Sequence, residues 1–170
     1  MLGETLGRAF ASEQPRVAVD AAGALPYYSR LPALDMLGLC DRTIATTPFP
    51  AWLATTKPGT PKPPGHLKGN GDYVMAQQPD LMVFSNPPGL PLPVFVSACE
   101  FEDDPRFLDG YRLVLLDLGH GGKGSDVPVL VGGTARNLIR GGHLPGRARR
   151  ARAPLHTLCT HTMISTLHPN

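Results

Sequence analysis

The chain has 170 residues, with 16 Lys or Arg against 14 Asp or Glu for a formal charge of +2, 42% hydrophobic residues, 18% charged residues, and 19 each of Gly and Pro. That composition supports one domain with a core and many loops, and it excludes a low-complexity chain. Three cysteines without a CxxC spacing exclude a disulfide framework and a cysteine-rich zinc site, and the acid-bearing start MLGETLGRAFASEQ has no apolar stretch for a signal peptide.

In chain order, Leu2, Leu6 and Phe10 recur at helical spacing and predict a short amphipathic helix over residues 2–13, ended by Pro15. Residues 16–20 (RVAVD) read as a buried strand, 21–24 as a turn of small residues, and 34–38 as a second short extended segment. Asp41 is a candidate cap for one helical turn. Residues 46–65, rich in Pro and Thr, read as a long surface loop. Asp72 is expected to cap a helix that Pro79 stops, and Leu81–Phe84 is the clearest buried strand. The uncharged run from Leu81 to Cys99 contains four prolines within seven residues, which excludes a membrane helix. Residues 94–96 extend or pair with the preceding strand. Asp104 and Pro105 read as an N-cap and first helical position, and residues 111–118 as the last strand.

After Gly119 the texture changes. Residues 1–126 carry 10 basic and 14 acidic groups, whereas residues 127–170 carry six arginines and no acid. The expected division is an α/β domain at 1–118, a Gly-rich linker at 119–126, and an irregular Arg-rich tail at 127–170. The tail has no aromatic residue for base stacking, so no nucleic-acid partner is expected.

No GxSxG, HExxH, GxGxxG or GxxxxGK[ST] string occurs, and the glycine run near Lys123 has the wrong order for a phosphate loop. Asp20 closes the first strand beside small residues, where a carboxylate can meet a sugar hydroxyl or accept turn amides. Asp35, Asp41 and Arg42 share the string LDMLGLCDR, as polar ligand groups or as cap and surface charge. His66, Lys68 and Asp72 fall in the densest polar cluster, PGHLKGNGD, a loop able to close over a polar ligand. Glu102, Asp103 and Asp104 read as helix-start acids rather than metal ligands. No metal, cofactor or catalytic residue is expected.

Three strings, VAVDAAGALPYYSRLPALDMLGLCDRTIA, PGHLKGNGDYVMAQQPDLMVF and DPRFLDGYRLVLLDL, together resemble the extracytoplasmic C-terminal domain of bacterial membrane glycosyltransferases of the GT-C type, which use polyprenyl-phosphate sugars. The matching positions are Ala22, Gly23 and Tyr27; Asp35, Gly38, Asp41, Ile44 and Ala45; Pro64, Gly65, His66 and Lys68; and Pro79 with Asp80. The resemblance covers residues 16–118. It implies a glycan or a polyprenyl-phosphate sugar as ligand, a membrane-embedded glycosyltransferase core as partner, and a place on the extracytoplasmic face.

In that class the membrane helices and catalytic acids precede this domain. The chain is therefore expected to serve as an accessory domain, binding glycan or bracing the enzyme, without transferring sugar alone. Two alternatives stand beside it. One is an independent soluble α/β enzyme with its site near Asp20; the other is a truncated product without function, its end read in a shifted frame. The fold expected is a small, mostly parallel α/β sheet with short helices and long Pro-rich loops. The ligand-binding residues expected are Asp20, Tyr27, Asp35, Asp41, Arg42, His66, Lys68 and Asp72.

Overall fold

A computed structural model of the chain describes residues 2–51, 67–84, 95–117, 126–132 and 149–150. Its elements are α1 (Leu2–Ala9), β1 (Val17–Val19), α2 (Ala24–Ser29), β2 (Ala33–Asp35), α3 (Arg42–Thr46), α4 (Gly71–Ala76), β3 (Leu81–Val83), α5 (Val96–Phe101), α6 (Pro105–Gly110), β4 (Arg112–Asp117), β5 (Asp126–Val131) and β6 (Arg149–Arg150). The fold is α/β, as expected.

The strands form one sheet in the order β2-β1-β3-β5-β4-β6. β1 runs parallel to both neighbours, with Ala18 opposite Leu34 on β2 and Met82 on β3. The expectation of a mostly parallel sheet holds for this half only. β5 runs antiparallel to β3 and β4, and β6 antiparallel to β4. The reason lies in the connections: crossovers carrying α2, and then α3 and α4, return the chain for parallel pairing, whereas β4 and β5 are consecutive among the described elements and pair antiparallel.

The sheet does not stop at residue 118. The apolar run Val127–Val131, assigned by composition to the tail, supplies β5, which sits between β3 and β4 with Leu130 opposite both Met82 and Leu113. Burial of Val129, Leu130 and Val131 takes their apolar side chains out of water, while the two neighbouring strands pair the backbone. Arg149 and Arg150 pair with Leu115 and Val114. The expected loop at 52–66, the proline loop at 86–93 and the glycine run at 119–124 lie outside the described residues.

Side chains alternate across the sheet with the strand period of two. Ala18, Leu34, Met82, Leu113 and Leu130 face one core, completed by Ile44, Val74, Phe101 and Phe107 from α3 to α6. Val17, Val19, Leu81, Val83, Val129 and Val131 face the other, completed by Leu6 and Phe10 from the α1 region. Burial on both faces explains why these strands read as continuous apolar runs.

Three local expectations change. Residues 24–29 form α2, with Pro26 in the first turn, where its missing N–H costs nothing. Residues 95 and 96 do not extend a strand: Phe95 is the N-cap and Val96 opens α5. The helix expected at 72–78 begins at Gly71 and is capped by Asn70, whose Oδ1 accepts from Tyr73 N at 2.9 Å, so Asp72 is not its cap. The Asp104 cap with Pro105 following stands as expected.

Tyr111 closes the helical core, 5% exposed, its hydroxyl donating to Pro79 O at 2.5 Å. Burial, with the nearby Asp80 charge, pushes its phenol from 10.0 up to about 12. A raised pKa on a group that is neutral when protonated favours folding fully below the unfolded value and loses that contribution as pH climbs through the folded one. Stability is thus expected to fall by roughly 2 kcal/mol between about pH 10 and about pH 12 on account of Tyr111. Denaturant titrations of the wild type and Tyr111→Phe across that range test it. The variant starts lower, lacking the hydrogen bond, but its curve should be flatter; parallel curves would rule the effect out.

Candidate functional site

In open α/β sheets ligands sit outside the carboxyl ends of parallel strands. Here a cleft of about 320 Å³ opens beside the ends of β1 and β2. β1 supplies Val19, the following turn supplies Ala22 and Gly23, and α2 supplies Pro26 and Tyr27; β2 and the turn after it supply Asp35, Cys40 and Asp41. The small residues of the turn leave the opening free of side-chain bulk. A Cβ on Gly23 would meet nothing within 4 Å.

The β2–α3 turn is built around Asp35, which is 5% exposed. Its Oδ1 accepts from Leu37 N at 2.9 Å and its Oδ2 from Cys40 N at 2.5 Å. Gly38 sits in this turn at φ +76, and a Cβ there would lie 2.7 Å from Ala45 N, so both conformation and the approach of α3 require glycine. Asp41 then caps α3 through Ile44 N at 3.0 Å, while its Oδ2 accepts from the Tyr73 hydroxyl at 3.2 Å. These bonds hold both carboxylates in place at the cleft wall. Tyr27 is 76% exposed, its ring edge-to-face with Tyr28 at 5.0 Å.

Of the residues expected from sequence, the fold therefore brings Tyr27, Asp35 and Asp41 to one cleft. Asp20, buried at 2% exposure, directly follows the lining residue Val19. Arg42 is exposed on the first turn of α3. Lys68 and Asp72 are not at the cleft. Lys68 Nζ donates to Thr47 O at 2.5 Å and stands 4.2 Å from the Phe49 ring centre, at the far end of α3. Asp72 is exposed and pairs with Arg106 Nη2 at 2.7 Å. Arg106 also grips Asp104, holding that carboxyl below its ordinary range, and its own guanidinium is more firmly protonated in return. An exposed pair of this kind adds little stability. His66 lies outside the described residues.

Sequence reasoning missed four groups. Cys40 is a free, exposed thiol in the cleft lining. Tyr73 braces Asp41. Ser97 Oγ, fully buried, donates to Met36 O at 2.7 Å and accepts from Asn70 N at 3.0 Å. Glu100 Oε2 accepts from Gly71 N at 2.7 Å. Thus the polar loop after His66 packs on α5, and its glycines serve that packing: a Cβ on Gly69 would lie 2.4 Å from Ser97 N.

A larger hollow of about 620 Å³ opens at the opposite end of β1, β2 and β3. Several of its polar groups are engaged with each other. Arg16 Nη1 donates to Gln77 O and Oε1, Arg16 N to Asp80 Oδ2, and Tyr111 to Pro79. Among the described residues no group of three His, Cys, Asp or Glu is placed to hold a metal, and no helix is long and apolar enough to cross a membrane.

No curated protein and no solved structure matches this chain. A family model described as Domain of unknown function (DUF8728) matches residues 2–132, ending one residue after β5, and the chain belongs to that family.

Proposed function

We propose that this chain is a glycan-binding accessory domain of a membrane glycosyltransferase, with no transferase activity by itself. The observation that carries the binding role is the cleft at the ends of β1 and β2. An exposed aromatic ring, Tyr27, stands at a concave opening whose wall holds the fixed carboxylates of Asp35 and Asp41. A ring face stacks on the C–H face of a sugar, and fixed acceptors bind its hydroxyls. Each carboxylate oxygen retains acceptor capacity beyond the single bond it now receives. The assignment to a glycosyltransferase rests on the resemblance of residues 16–118. Of the two ligands that resemblance implies, a glycan suits the cleft better than a polyprenyl-phosphate sugar, because the charged side chains lining it are acidic among the described residues.

The test is a glycan array probed with the full chain, followed by Tyr27→Ala on any hit. Tyr27 is largely exposed, so the variant is expected to keep wild-type stability within about 0.5 kcal/mol. It should weaken glycan binding about tenfold. Bound glycan should also slow alkylation of Cys40, mapped by peptide mass spectrometry. Binding that Tyr27→Ala leaves untouched, with Cys40 unprotected, would place any glycan site elsewhere and defeat the proposal.

A further inference from the structure

We infer that the cleft selects its sugar by charge, favouring a protonated amino sugar over a neutral one and both over a uronic acid or sugar phosphate. This inference rests on reading the cleft as a sugar site. Among the described residues its charged lining consists of Asp35 and Asp41. Among those residues both receive hydrogen bonds from neutral donors only: backbone amides of Leu37, Cys40 and Ile44, and the Tyr73 hydroxyl. Neutral donors fix the carboxylates without cancelling their charge. Asp20 adds a third acid directly after Val19.

Among the described residues no cation pairs with Asp35 or Asp41. Lys68 is held at the other end of α3 by Thr47 O and the Phe49 ring, and Arg42 is exposed on α3 and not part of the lining. Tyr27 and Cys40 complete the titratable groups of the opening among the described residues. A ligand entering it thus meets acceptors and negative charge. An ammonium on the ring gains a charge-assisted hydrogen bond, while a carboxylate or phosphate meets like charge in a partly dehydrated recess.

The experiment compares glucosamine, N-acetylglucosamine and glucuronic acid on the full chain by ligand-detected NMR titration at low salt. Mass spectrometry of Cys40 alkylation reports whether the ligand occupies the cleft. Glucosamine is expected to bind on the order of tenfold more tightly than glucuronic acid, a gap that shrinks as salt is added. Asp41→Asn is the diagnostic variant, because asparagine caps a helix as well as aspartate does and the fold is kept. It should narrow the gap several-fold, weakening glucosamine more than it weakens N-acetylglucosamine.

Equal affinity for glucosamine and glucuronic acid, or a gap unaltered by Asp41→Asn, overturns the charge inference and leaves the sugar reading standing. Failure of all three sugars to bind or to protect Cys40 overturns the sugar reading and the inference with it.

Discussion

Phe101→Ala is expected to destabilise the domain by about 3–5 kcal/mol, the cost of removing a buried aromatic ring and leaving a cavity. Phe101 is 1% exposed on α5, with the Phe107 ring centre at 4.9 Å and the Phe84 ring centre at 6.5 Å. Phe107 in turn stacks on Tyr111 at 5.8 Å. The row of rings joins β3, α5 and α6 across one face of the sheet, so deleting its centre unties three elements at once. A loss that large would exceed a good part of the stability of an ordinary domain. Equilibrium denaturation measures it. A cost below about 1 kcal/mol would mean that the rings do not form the packed unit described.

Gly69→Ala carries the second large effect. The added Cβ would lie 2.4 Å from Ser97 N and 2.5 Å from Val96 Cγ1, in the tight seam between the polar loop and α5. Backbone cannot yield there without breaking the Asn70 N to Ser97 Oγ bond, so a loss of about 2–3 kcal/mol is expected from overpacking. Gly110→Ala is the matched control. Its Cβ meets nothing within 4 Å, and the change is expected to be neutral or slightly stabilising, by up to about 1 kcal/mol. The pair also separates two meanings of the glycines in PGHLKGNGD. Close packing demands the difference between them. A loop whose glycines serve only to fold over a ligand would tolerate Gly69→Ala in the free protein, and that result would reject the packing role.

Much of the architecture was legible along the chain because it rests on local chemistry. Asp41 and the Asp104-Pro105 pair carry their helix starts in their own side chains and ring. β3 and β4 are apolar runs bounded by breakers, and the helix before Pro79 leading to β3 announces a crossover. The α2 helix was hidden because Pro26 suggests an open segment and because no glycine marks its end. Arg30 adopts the left-handed cap at φ 56 instead. α5 was hidden by the β-branched residues Val94 and Val96, whose strand preference yields to the helix that packs Phe101 into the core. β5 was hidden by its neighbours: its apolar run abuts Gly-rich and Arg-rich text, and composition averaged over that text masked it.

The candidate site shows the same division. Asp35, Asp41 and Tyr27 were visible as residue types beside strand ends, and the fold brings them to one cleft. Lys68 and Asp72 were visible in the same way, yet they bond to Thr47 and to Arg106 instead. Nothing local distinguishes the two sets. A polar side chain in a glycine-rich turn can face a ligand or staple two elements, and only its neighbours in space decide.

The sequence by itself determined the α/β class, the strands β1, β3 and β4, and the helix starts capped by Asp41 and Asp104. Each follows from side-chain period, capping chemistry or backbone conformation within a few residues. Only the tertiary structure decided that β5 belongs inside the sheet, that half the sheet is antiparallel, that the polar loop packs on α5, and that Cys40 lines the cleft. These depend on contacts between segments far apart in the chain, where burial and close packing override what any one segment prefers alone.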